Sequence, residues 1–127
     1  MTGTPIDRAV FDGLVEMTGG EMEFVDELVD TYLEDGQQQI IALRDAVASA
    51  DTAALVRPAH SLKSNSLNVG AMTLGEQCRE LEEIARSGSV PDAADRVGAI
   101  DDGFARVRDA LLAERAARPA RAGPTSS

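Results

Sequence analysis

Apolar residues recur every three or four positions along most of this chain, and nowhere do they alternate one by one. That period marks one face of an α-helix, so the chain must fold as helices that bury their stripes against one another. Glycine and proline divide the pattern into segments. Thr4-Pro5-Ile6-Asp7 reads as a helix start, with Thr4 as cap, Pro5 in the first helical position and Asp7 as the acid of a capping box. Ile6, Val10, Leu14 and Met17 then form a short stripe that Gly19-Gly20 ends. A second helix is expected over residues 21–49, burying Val25, Leu28, Tyr32, Ile40, Leu43 and Val47, with Gly36 as a weak point or bend.

Asp51 suits the cap of a third helix, whose buried face is Leu55, Ala59, Leu62, Ser66 and Val69 and which closes at a left-handed Gly70. Pro58 either bends this helix or marks a late start. A fourth helix covers residues 72–86, with Leu74, Cys78, Leu81 and Ala85 inward and Gly88 at its end. The fifth opens at Pro91-Asp92 and carries Val97, Ile100, Phe104, Val107 and Leu111 in a bundle-seam rhythm. The fold expected is all-α: an antiparallel up-down four-helix bundle with a short extra N-terminal helix. One domain spans residues 1–117, and residues 118–127, R-P-A-R-A-G-P-T-S-S, should form a disordered tail.

Charge and composition narrow what such a bundle does. The net charge is −10, and residues 1–50 hold 11 acidic against 2 basic residues. Nucleic acid and anionic membrane surfaces would repel this chain. Aromatics make up 3%, too few for a base-stacking platform. A single Cys excludes an internal disulfide, and one His with one Cys excludes a protein-built zinc site. There is no Gly-rich phosphate loop and no apolar run long enough for a signal sequence or membrane span. A cytoplasmic domain is expected.

His60 is the only histidine and Lys63 the only lysine, three residues apart on the third helix. Rotating by ~100° per residue from the buried stripe places His60 about 140° away, Lys63 about 80° and Ser64 about 180°. His60 therefore faces solvent, flanked by Val56 and Leu67 at about 100° and 120°, apolar residues the core does not claim. Such a patch suits protein docking. In a hairpin turning at Gly70-Ala71, His60 stands 11 residues before Ala71 and Glu82 stands 11 after it, so the two share a height. A carboxylate beside an imidazole can accept the Nδ1 hydrogen and leave Nε2 as nucleophile. Plainer readings stand beside this one. A lone surface histidine can be inert, Lys63 merely solvated, and Glu82 paired with Arg79 or Arg86 on its own helix. Cys78 lies in the apolar stripe and reads as core.

Residues 59–71, A-H-S-L-K-S-N-S-L-N-V-G-A, resemble the signature A-H-x-L-K-[GS]-x-[SA]-x-x-x-G-A of histidine-containing phosphotransfer (HPt) domains. The resemblance continues through Leu74, Cys78, Leu81 and Glu82, and the upstream E-F-V-D-E-L-V-D-T-Y-L-E-D also fits. It implies that His60 is the phosphoacceptor, that Lys63 lies near the phosphoryl group and that Glu82 bonds the imidazole. Ser64 stands where many members have Gly, a small residue that lets a partner approach. Docking would centre on Val56, Ser64 and Leu67.

The function this implies is a phosphorelay intermediate, passing a phosphoryl group between the receiver domain of a hybrid histidine kinase and a response regulator aspartate. Such a carrier has no ATP site and no cofactor or metal of its own; Mg²⁺ would come from the partner receiver domain. A monomer is expected, and Met1 with the tail suggests a stand-alone chain. Two other readings fit the same residues: the phosphoacceptor domain of a chemotaxis-type kinase, and a helical interaction module with an unreactive histidine.

Overall fold

The computed structural model describes residues 5–116, so the expected tail lies outside the described residues. Five α-helices follow in order: α1 over Arg8–Met17, α2 over Met22–Ala48, α3 over Val56–Asn68, α4 over Met72–Arg86 and α5 over Ala93–Ala116, with a 3₁₀ turn at Ala53–Leu55 before α3. No strand occurs among the described residues. Helices α2 through α5 close into a ring in which α2 packs on α3 and α5, and α4 packs on α3 and α5, while α1 lies on α2 and α3. Ion pairs fix the antiparallel sense of α2 and α5. Arg115 near the end of α5 meets Asp26 and Asp30 near the start of α2, and Arg44 meets Asp101.

Several starts and stripes differ from those read off the sequence. Asp7 is itself the cap of α1, its Oδ1 accepting from the backbone N–H of Ala9 at 2.9 Å and Val10 at 3.2 Å. A short carboxylate reaches the N–H groups two and three residues ahead, so the helix begins after it. Phe11 is the buried residue of α1, whereas Met17, at the helix end, is 83% exposed. In α2, Val29 and Ala46 are buried while Leu28 is exposed and Val47 half-buried. α2 packs on both α3 and α5, and its buried arc follows these two neighbours together. Asp51 caps the 3₁₀ turn, its Oδ1 accepting from Ala54 N–H at 3.2 Å. α3 therefore starts late, and Pro58 falls in its first turn, where a missing N–H leaves no intrahelical bond broken.

The stripes of α4 and α5 lie buried as expected. Gly70 adopts φ 88°, and its carbonyl accepts from Asp7 N–H at 2.6 Å. A Cβ there would stand 2.8 Å from Asp7 O, so the α3–α4 turn anchors α1 only because residue 70 is glycine. The sequence suggests a bend at Gly36; the structure instead packs the Phe104 ring against its Cα face. Phe104 is 2% exposed and lies 5.7 Å, centroid to centroid, from the Tyr32 ring. Gly36→Ala should therefore destabilise the bundle by about 1–3 kcal/mol despite the better helix propensity of alanine, as read by urea denaturation.

Candidate functional site

α3 turns Ala59, Leu62 and Ser66 into the core, with Ser66 Oγ bonded to Tyr32 Oη at 2.8 Å. The opposite arc then carries His60, whose side chain is 53% exposed. The α3–α4 hairpin brings Glu82 beside it, as the equal distances from the turn predict. Glu82 sits next to Leu81 in the buried part of α4, and its side chain is only 8% exposed. His60 Nδ1 lies 2.9 Å from Glu82 Oε2 and Lys63 Nζ lies 3.3 Å from Oε1. The Arg86 guanidinium reaches Oε2 at 2.8 Å from Nη2 and 3.2 Å from Nε.

Burial pushes the Glu82 carboxyl upward, but hydrogen bonds from Arg86, His60 and Lys63 and the Lys63 charge outweigh it and hold the group at about 2. Glu82 is therefore an ionised carboxylate at neutral pH and can only accept hydrogen bonds. The Nδ1 atom of His60 must be the donor. In the neutral ring this leaves the lone pair on Nε2, at the exposed side.

The pairing along α4 and the pairing across the hairpin coexist. Glu82 bonds Arg86 on its own helix and also holds His60 and Lys63, while Arg79 is taken by Glu76 and Glu83. Arg86 joins the site as a further partner of Glu82. Its signal was the four-residue spacing from Glu82, which alone reads as a surface pair.

Two of the candidate docking residues are less exposed than their angles on the helix suggest. Val56 is half-buried and packed against the core. It opens α3, and at about 100° from the buried stripe it lies on the flank of the helix, where the core reaches part of its side chain. Ser64, placed opposite the stripe, is half-buried. Leu67 is 37% exposed and lies over Gly75, where a Cβ would stand 2.5 Å from Leu67 Cδ2. Leu67 and Asn65 also line a groove of about 610 Å³ between α1, α2 and α3, walled by Leu14, Met17, Leu28 and Tyr32.

Among the described residues, no group of three or more His, Cys, Asp and Glu side chains could hold a metal ion. No helix there is long and apolar enough to cross a membrane.

The bundle thus presents one imidazole, oriented through Nδ1 and 53% exposed. The Hpt domain family model matches residues 27–110. Histidine-containing phosphotransfer protein B from Pseudomonas aeruginosa has a crystal structure similar to this fold, with a TM-score of 0.82 and 32% identity over 90% of this chain and 96% of that one. No curated protein sequence matches at a significant level. The chain belongs to the Hpt domain family, which places it among the histidine phosphotransfer proteins of phosphorelays.

Proposed function

We propose that this protein is a phosphorelay carrier in which His60 accepts a phosphoryl group from one receiver-domain aspartate and donates it to another. The observation that carries the reading is the bond from His60 Nδ1 to the ionised Glu82, because it selects the tautomer with a free Nε2. The Nε2 lone pair attacks phosphorus of the aspartyl phosphate. An N–P bond forms, the acyl O–P bond breaks, and its electron pair returns to the aspartate carboxylate. The Nδ1 proton stays on the ring, which becomes cationic, and Glu82 lies beside it to stabilise that charge. The reverse step restores the neutral ring.

Charge spread over the transferring oxygens needs cations. Lys63, held one helical turn from His60 by Glu82, supplies one. The partner receiver domain supplies Mg²⁺, and this chain contributes no cofactor. The partners are a hybrid histidine kinase and a response regulator, docking over Ser64, Leu67 and the edge of Val56 and extending into the groove between α1, α2 and α3. The protein does not phosphorylate itself from ATP.

Incubation with a radiolabelled phosphorylated receiver domain tests this reading. The chain should gain an acid-labile, alkali-stable label, and ATP with Mg²⁺ alone should give none. Acid-stable label would overturn it.

Glu82→Ala and Lys63→Ala should each slow transfer by roughly tenfold or more. Lys63 borders the surface, so the expected cost in folding stability is below about 1 kcal/mol for Lys63→Ala. Glu82 has a folded-state pKa below its unfolded one, so its stabilising effect is present above about pH 4.5 and disappears as pH falls towards about 2. Stopped-flow transfer rates and acid unfolding curves of the same variants check both statements.

A further inference from the structure

Glu82 offers two oxygens to three donors. Oε1 faces Lys63, while Oε2 is shared by His60 Nδ1 and the Arg86 guanidinium. We infer that Arg86 is a positioning residue for the phosphotransfer site, its Nε and Nη2 groups fixing the Glu82 carboxylate where it holds the His60 ring. The inference rests on the phosphoacceptor reading of His60, but its physical content does not need phosphoryl transfer to be observed.

The carboxylate sits on a flexible side chain between two cations. The Lys63 ammonium is a point charge with rotatable donors, and alone it would draw the carboxylate towards itself. Arg86 stands one turn further along α4, in the favoured order of acid before base, and presents two N–H groups to one oxygen. That fork opposes the pull of Lys63 and keeps Oε2 under Nδ1. By sharing Oε2 it also lowers that oxygen's basicity, so the proton remains on the imidazole. Arg86 itself is 60% exposed, and without it Glu82 keeps Lys63 and His60 as partners, so its loss does not threaten the fold.

The charged groups around the ring are few. From α3 it is Lys63, with Arg57 three residues before His60 on the same helix; from α4 they are Glu82 and Arg86, with Arg79 committed to Glu76 and Glu83. The 3₁₀ turn carries no charged side chain. On α2, Asp35 lines the groove beside Asn65 and Leu67, and Arg44 is held by Asp101 of α5.

The test is nitrogen-15 NMR of the His60 ring at about pH 8, above the range in which histidines ordinarily charge. Wild type should show the pattern of the Nδ1–H tautomer. Arg86→Ala should show a mixture with the Nε2–H form. Its Glu82 carboxyl, followed by carbon-13 NMR, should titrate about one unit higher, and transfer should slow about tenfold. Arg86→Lys keeps the charge but not the fork, so it should restore the Glu82 titration more fully than the tautomer ratio. A wild-type tautomer pattern and Glu82 titration in folded Arg86→Ala would overturn the inference and leave Arg86 as a surface ion pair. Absence of label on wild-type His60 would overturn the phosphoacceptor reading instead, while the ring spectra would still decide the role of Arg86.

Discussion

His60→Gln should abolish phosphoryl acceptance altogether, down to the background of the assay. The glutamine amide nitrogen is not nucleophilic, and none of the neighbouring groups replaces Nε2. Lys63 is bound to Glu82. The fold should be unaffected. The His60 side chain is 53% exposed, and a glutamine amide can still donate to Glu82. Stability should stay within about 0.5 kcal/mol of wild type. The measurement pairs transfer from a phosphorylated receiver domain with thermal unfolding of the same preparation. Acid-labile label persisting in folded His60→Gln would move the acceptor to another residue.

Cys78→Asp should act in the opposite way, collapsing the bundle without touching the site. Cys78 is fully buried, and burial pushes its thiol up to about 12, so the surroundings disfavour any negative charge. An aspartate there would be buried without a partner, at a cost of about 3–5 kcal/mol or more. Against a typical domain stability of roughly 5–15 kcal/mol, that removes much of the margin. Circular dichroism in urea should show a large drop in the unfolding midpoint, while Cys78→Ala, which leaves only a small cavity, should fold. The same burial predicts that the wild-type thiol reacts slowly with alkylating reagents unless the bundle opens. A Cys78→Asp protein as stable as wild type would mean that α4 does not bury this position.

The helical period settled which segments are helices, and Gly70, Gly88 and the Gly19-Gly20 pair settled where several of them stop. These are local matters, fixed by side-chain spacing and by backbone conformations that glycine adopts freely. Hairpin symmetry about Gly70-Ala71 also made the His60–Glu82 pair legible, because height along two joined helices follows from counting residues. Other features depended on which neighbour each helix found. Leu28 and Met17 repeat at the right spacing yet lie exposed along a groove, since α1 covers only part of α2 and α3. Val56 is half-buried because the core reaches the flank of α3 on which it stands, an extent of packing that a projection along one helix does not give.

The sequence by itself determined the all-helical chain, the α3–α4 hairpin and the single imidazole turned to solvent. Only the tertiary structure decided that one nearly buried carboxylate is shared by His60, Lys63 and Arg86, and that Phe104 fills the space beside Gly36. Spacing along one helix fixes a direction, whereas the ionisation of Glu82 and the tautomer it selects depend on distances between helices, which packing alone sets.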